Sequence, residues 1–309
     1  MESVTVRAPA SAANLGPGFD TLGLALALHN ELRFTPAPGE PSVTIRGEGE
    51  GQLDTGPGNL VCRAMRRLYA EVGRQGPPVC LELVNRIPLS RGLGSSSAAI
   101  VGGLVGANAL LGSPLEREAL LALAVEMEGH PDNVTPALLG GLQVTASDDS
   151  GVCHLRVEPP RGLAVVICIP DVQVSTETAR RALPQQYSRE DAVFNLGRVA
   201  ILVASMALGK LEHLRSGMED RIHQPYRAPL IPGFGAAVDG AIQAGAAGAC
   251  LSGSGSTILA LVDGRTDGAG ARAARIGEAM VDAVQHAGHE ALWTLLEPDL
   301  DGTVVVPSA

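Results

Sequence analysis

The sequence predicts an α+β fold in two domains. Three observations carry this reading. Strand-like alternation and helix-like spacing follow one another without the strict strand–helix–strand order of a doubly wound parallel sheet. The chain has 309 residues, a length that suits two domains or one large one. Residues 148–161 gather acidic residues, Gly151, Pro159 and Pro160 between two regular regions, so the division is placed there, giving domains 1–155 and 156–309.

Val4–Arg7 alternates as a strand, and the Pro/Gly/Asn-rich run 8–20 reads as a loop. Leu22–Leu28 and Val43–Arg46 are further strands. Leu60, Ala64, Leu68 and Val72 recur at helical spacing and predict a helix over 59–72. Val79–Arg86 alternates again, a Gly/Ser loop spans 88–97, and small residues form a helix over 98–111. Pro114 opens a helix running to Glu128, His130–Pro136 reads as loop, and Leu142–Ser147 as strand. Beyond the division, Leu163–Ile169 is a buried strand, and helices are expected at 175–183, 190–208, 210–216 and 235–244. A Gly/Ser turn and strand lie within 248–262, a last helix spans 268–287, and strands follow near 290–296 and 303–306. The chain shows no internal repeat.

The composition, 45% hydrophobic and 18% charged, supports a buried core. The net charge of −10, with Arg66-Arg67 and Arg180-Arg181 as the longest basic runs, argues against nucleic acid or an anionic membrane as partner. It is compatible with a small anion held by a few aimed groups. Of 23 basic residues only Lys210 is lysine, and no G-x-x-x-x-G-K-[ST] loop occurs. Schiff-base chemistry is thereby disfavoured as well. The five cysteines, Cys62, Cys80, Cys153, Cys168 and Cys250, are odd in number and form no C-x-x-C. They read as buried small apolar residues rather than a disulfide framework or zinc site. The N-terminus alternates as a strand and carries no basic segment before an apolar run. The apolar run Ala98–Leu111 is short against the roughly 20 residues a membrane span needs. A cytoplasmic, reduced protein is expected.

The segment Pro88-Leu89-Ser90-Arg91-Gly92-Leu93-Gly94-Ser95-Ser96-Ser97-Ala98 stands between a strand and a helix. Gly92 and Gly94 permit a tight backbone that presents N–H groups, and the serines stand where the helix begins. Unpaired N–H groups and the dipole make such a helix start an anion site. An N-cap on a glycine-packed helix accounts for the same residues equally well. A serine hydroxyl there is placed to reach a phosphate-bound Mg²⁺. The motif is similar to the P-x-x-x-G-L-G-S-S-A-A phosphate loop of the GHMP kinases, with Ser97 in place of the first alanine.

Two further segments carry the resemblance. The run from Ala8 to Gly23, APASAANLGPGFDTLG, has Asn14 and Asp20 as its polar side chains, which Asx turns alone would also explain. Its A-N-L-G-P-G-F-D core resembles the homoserine kinases within that superfamily. Residues 246–257, AAGACLSGSGST, resemble the third family motif, whose backbone lines the phosphate site, here through Gly253 and Ser254. The resemblance covers about 4–262. It implies a ribosomal-protein-S5-domain-2-like N-terminal domain that binds ATP and a ferredoxin-like C-terminal α/β sandwich. It also implies Mg²⁺ and ATP as cofactors, L-homoserine as acceptor, O-phosphohomoserine as product in threonine biosynthesis, and a homodimer.

The same resemblance supplies residue roles. In Glu126-Met127-Glu128-Gly129-His130-Pro131-Asp132-Asn133, residues two apart on a helix diverge, so only one glutamate should enter a site. The family pattern selects Glu128, with Ser96, for the metal. Asn59 would touch adenine, or simply cap its helix. Arg180 and Arg227 would hold the substrate carboxylate, since arginine forks suit carboxylates, and Asp20 the ammonium. Asn14, His130, Asn133 and Thr176 would line the rest. Asp132, Asn133 and Arg180 are the catalytic candidates, Asp132 either as general base or as a group that orients Arg180.

Overall fold

The computed structural model describes residues 2–37, 41–149 and 151–307. They form two sheets, each covered by helices. The first has seven strands, with β1 (Val4–Ala13), β2 (Leu22–Pro36) and β4 (Val79–Asn85) at its centre and β3 (Ser42–Gly47) at one edge. β2 is long enough to serve two neighbours on one side. Residues 31–36 pair with β4, and residues 22–24 pair with β5 (Leu142–Asp148), which pairs in turn with β6 (Gly151–Val157). Helices α1 (Leu60–Glu71), α2 (Ser95–Leu110), α3 (Arg117–Glu128) and α4 (Pro131–Leu139) cover this sheet.

The second sheet has the order β10 (Ala291–Leu296), β7 (Leu163–Pro170), β9 (Ile258–Asp263), β8 (Gly248–Leu251), all antiparallel. Numbered within this unit, that is 4-1-3-2, the order of a ferredoxin-like sheet. Helices α9 (Phe234–Gln243) and α10 (Ala269–His286) pack on it around Ile276, Met280 and Ile258. Between β7 and α9 lie α5 (Thr176–Arg181), α6 (Arg189–Leu208), a 3₁₀ turn at Leu211–His213, α7 (Leu214–Gly217) and α8 (Gln224–Arg227). The α+β class and the two-sheet plan agree with the sequence reading.

Several local expectations differ. The run 8–13 was expected as loop but continues β1, because its small residues are buried on both faces and lose the alternation that marks a half-exposed strand. Residues 131–139 form a helix rather than a loop: Pro131 sits at its first turn, where a missing N–H costs nothing, and Asp132 follows it. α2 starts at Ser95, three residues early, and α3 at Arg117 rather than Pro114. The stretch chosen as the division contains β6, so 155/156 falls inside a strand of the first sheet. The C-terminal strand β11 (Val304–Val306) pairs with β1, and Pro298 bridges to Leu26, returning the chain to that sheet. Of the cysteines, Cys168 and Cys250 are buried, Cys62 and Cys80 half-buried, and Cys153 is exposed; all are free.

By length and composition α6 alone among the described helices could cross a membrane. Its inner face, Asn195, Leu202, Ser205 and Met206, is instead buried in the protein.

Candidate active site

One cavity of about 530 Å³ opens where the two sheets meet. Its floor is the loop from β4 to α2. Ser90, Gly92 and Gly94 all adopt left-handed backbone there, at φ of 54°, 73° and 68°. A side chain on Gly94 would place its Cβ 2.1 Å from the Ser11 hydroxyl, and one on Gly92 would lie 2.1 Å from the Ser252 carbonyl oxygen. Glycine is therefore required twice over at both positions. Gly94 caps α2 with no side-chain bond, so the first N–H groups of the helix are left for another acceptor. Pro88 through Ser96 line the cavity. Ser97 and Ala98 do not: both are buried beneath the wall.

The second sheet contributes the turn after β8. Gly253 N–H donates to Ala13 O at 3.0 Å, Ser252 Oγ to Gly92 O at 2.7 Å, and Thr257 N–H to Arg91 O at 3.1 Å. These bonds fasten the turn to the glycine loop and bring Gly253 and Ser254 into the cavity wall. Asn59 also lines it, and caps α1 by accepting from Val61 N–H at 3.0 Å while donating to Asp54 O at 2.7 Å. Lys210 is not among the lining residues.

Left-handed Gly129 ends α3, and the chain turns at once into α4. Glu128 Oε1 accepts from Ser96 Oγ at 2.7 Å and from Ser97 Oγ at 3.0 Å. Glu126 points away and pairs with Arg67 at 2.7 Å, the divergence the spacing predicts. His130 Nδ1 lies 2.6 Å from Asp132 Oδ1, and Asp132 is 2% exposed. Burial is the largest single influence on His130 and lowers its pKa. The bond to Asp132 and the charges of Asp132 and Glu128 together outweigh it and leave the pKa above the ordinary value. Asn133 Oδ1 accepts from Ser11 Oγ at 2.9 Å.

The opposite wall carries the arginines. Arg180 donates to both carboxylate oxygens of Asp20, at 2.9 and 2.8 Å. Asp20 is fixed in turn by its N–H donating to Asn14 Oδ1 at 3.1 Å, while Asn14 Nδ2 donates to Gly253 O at 2.9 Å. Arg227 is 2% exposed and donates to the carbonyls of Ala179 and Gly253, at 3.3 and 3.0 Å. Among the described residues it has no carboxylate partner. Burial, and then the neighbouring Arg180, push its pKa below the usual arginine value.

Its remaining neighbour is His223. Burial pulls the His223 pKa down, against the opposing charge of Asp220. Nε2 stands 2.6 Å from Gly16 O and so carries the proton, which leaves Nδ1 to accept from Arg227 Nη1 at 3.3 Å. The ring of Phe19 stacks on His223 and lies under both guanidinium groups, 5.6 Å from Arg180 and 5.2 Å from Arg227.

Thus every sequence-selected residue except Ser97 and Ala98 lines one cavity, Thr176 among them at the start of α5. Sequence reasoning missed Ser11, Phe19, His223 and the Asp220–Asn195 pair behind it. Asp220 Oδ1 accepts from Asn195 Nδ2 at 2.7 Å and from Ile222 N–H at 2.9 Å. Its Oδ2 accepts from the N–H groups of His223 and Gln224, at 2.9 and 2.7 Å, and so caps α8. Phe19 and His223 stand inside motifs already singled out, and an aromatic ring between a loop aspartate and two arginines was the available signal.

A glycine-rich loop at a helix start, fastened to a Gly/Ser turn from a second α/β unit, is the architecture of the cavity. Residues 59–141 match the GHMP kinases N terminal domain, and residues 202–281 the GHMP kinases C terminal domain. The homoserine kinase of Moorella thermoacetica is 47% identical over 301 residues, covering 97% of this chain and 99% of its own. That of Carboxydothermus hydrogenoformans is 44% identical, covering 97% and 96%. The crystal structure of homoserine kinase from Cytophaga hutchinsonii superposes with a TM-score of 0.88 at 32% identity, covering 99% of this chain and 98% of that one. The L. major mevalonate kinase, at 15% identity and a TM-score of 0.70, shares the fold alone. The chain belongs to the homoserine kinase family of the GHMP kinases.

Proposed function

We infer that this protein transfers the γ-phosphoryl group of ATP to the side-chain hydroxyl of L-homoserine, giving O-phospho-L-homoserine and ADP. The observation that carries the substrate reading is the charge pattern of the cavity. A free amino acid is a zwitterion, and the Asp20–Arg180 pair is its complement: carboxylate for ammonium, guanidinium for carboxylate. Buried Arg227, bonded among the described residues to carbonyls and an imidazole, supplies a second cation for the carboxylate. The phosphate loop shares the same cavity.

The chain's own groups divide the work. The N–H groups of Gly94–Ser96 hold phosphate oxygens, and Ser254 closes the wall opposite them; the Gly253 N–H is already given to Ala13 O. Asn59 stands at the adenine end as both a cap and a wall. Ser96 and Glu128 suit Mg²⁺: a hydroxyl and a carboxylate in contact at a helix start are hard oxygen donors. Among the described residues no group of three His, Cys, Asp or Glu is gathered to hold a metal, so phosphates and water would complete the shell. Bound there, the ion would neutralise phosphate charge. Asp132, held by His130, is the acceptor for the hydroxyl proton. A loose transition state asks little of it early, and positioning by Asn133 and Arg180 counts for more. We place the division at residues 158–162, so that β6 stays with the first sheet, to which β11 also returns.

The direct test is ADP release from Mg·ATP with L-homoserine beside L-serine, mevalonate, galactose and no acceptor. Homoserine-dependent turnover with a phosphorylated product is expected. Turnover with another alcohol and not homoserine would overturn the substrate reading.

A further inference from the structure

Arg227 joins the cavity wall as a buried guanidinium with no carboxylate bonded to it among the described residues. A guanidinium carries five N–H donors and accepts nothing. Three of those on Arg227 are taken: Nε donates to Ala179 O at 3.3 Å, and Nη1 donates to Gly253 O at 3.0 Å and to His223 Nδ1 at 3.3 Å. Nη2 makes no bond among the described residues, so it is the atom left to meet a ligand. The like charge of Arg180 acts against Arg227. Where Nη2 points therefore depends on what grips the rest of the group.

Two of the three grips are backbone carbonyls, and His223 is the one side chain among them. It is fully buried, and both ring nitrogens are committed. Nε2 stands 2.6 Å from Gly16 O, an atom that only accepts, while Nδ1 faces a group that only donates. The ring thus donates at one nitrogen and accepts at the other. Gly16 is itself seated closely: at its φ of 87°, a Cβ would lie 2.3 Å from Met218 O, so the loop rests directly on the chain that follows α7. Asp220 Oδ2 lies 3.6 Å from Nε2. Its two oxygens already accept from Asn195 Nδ2 and from the N–H groups of Ile222, His223 and Gln224. Asn195 Nδ2 also reaches Pro17 O at 3.3 Å. That carboxylate fixes the turn carrying the histidine and makes no bond to Arg227. The ring is held by the loop on one side and by the capped turn on the other.

On the homoserine reading given above, we propose that His223 is a positioning residue whose imidazole aims Arg227 at the substrate carboxylate without offsetting the arginine's charge. A carboxylate at the same point would grip the guanidinium too, and would compete with the substrate for it.

The test is steady-state kinetics of the full chain, with homoserine and ATP varied in turn. His223→Gln keeps a donor for Gly16 O and leaves no acceptor at the Nδ1 position. The homoserine KM should rise about tenfold, with kcat and the ATP KM changed less than about threefold. His223→Asn sets an amide oxygen where Nδ1 stands, and should keep the homoserine KM within about threefold of the unaltered enzyme. Arg227→Met should raise that KM as well. Adding His223→Gln to it should raise it by no more than about threefold further, because a residue that acts through Arg227 then has nothing to act on. Any one of three results would overturn the proposal: a homoserine KM that His223→Gln leaves unchanged, a loss in His223→Asn as large as in His223→Gln, or losses that multiply in the double variant. Absence of homoserine turnover in the unaltered enzyme would instead overturn the substrate reading, and this proposal with it.

Discussion

Replacing Arg180 with methionine keeps the length of the side chain over Phe19 and removes the fork. In the free protein that fork makes two charge-assisted bonds to Asp20, at 2.9 and 2.8 Å. On binding, the substrate carboxylate takes one side of this pair and its ammonium the other. Charge-assisted bonds contribute about 1.5–3 kcal/mol each. The Arg180 and Asp20 side chains are 38% and 35% exposed, so screening favours the lower figure. Two bonds then amount to about 3 kcal/mol, a little over two decades in kcat/KM for homoserine. The half-exposed ion pair itself adds at most about 1 kcal/mol to folding, so the melting temperature should fall by only a few degrees. Steady-state ADP release with homoserine varied at saturating ATP reads the effect. The expected result is a homoserine KM raised about a hundredfold with an ATP KM changed less than threefold. A homoserine KM within threefold of the unaltered enzyme, or equal losses for both substrates, would refute the carboxylate role.

Ser96→Ala and Glu128→Gln should each raise the Mg²⁺ concentration for half-maximal rate about tenfold or more, because the first removes the hydroxyl and the second the carboxylate charge of the pair that meets at 2.7 Å. Unchanged magnesium dependence in both would remove that assignment. His130 has a raised pKa, so its charged form is favoured by folding. The stability it contributes is fully present below its unfolded value of about 6.5 and is lost as pH rises through the higher folded value. Melting temperature against pH should show that loss in the unaltered protein and not in His130→Gln. Gly94→Ala should destabilise the fold by roughly 2–5 kcal/mol, from left-handed strain of about 1–2 and overpacking against Ser11 of about 1–3. Gly112→Ala, also left-handed but with open space around the new Cβ, should lose only about 1 kcal/mol. Equal melting shifts for the two would mean that contact with Ser11 does not require the glycine.

Much of the site was legible because it is built from contiguous motifs whose chemistry is local. Left-handed glycines, serines at a helix start and a glutamate just before a glycine are readable one residue at a time. Residues 8–13 and 131–139 were misread because burial on both faces erases strand alternation, and because a proline at a helix start resembles a loop signal. Ser97 and Ala98 belong to the loop motif, yet helical rotation turns them inward, Ser97 toward Glu128.

By itself the sequence determined the α+β class, the glycine-rich loop before a helix, the lack of a G-x-x-x-x-G-K-[ST] loop and the set of charged groups on offer. Tertiary structure decided which of those charges meet. Arg180 lies 160 residues from Asp20, and Arg227 lies 26 from the Gly253 carbonyl it bonds. Such pairings depend on how two sheets face each other across a turn, a long-range geometry that no local pattern of residues encodes.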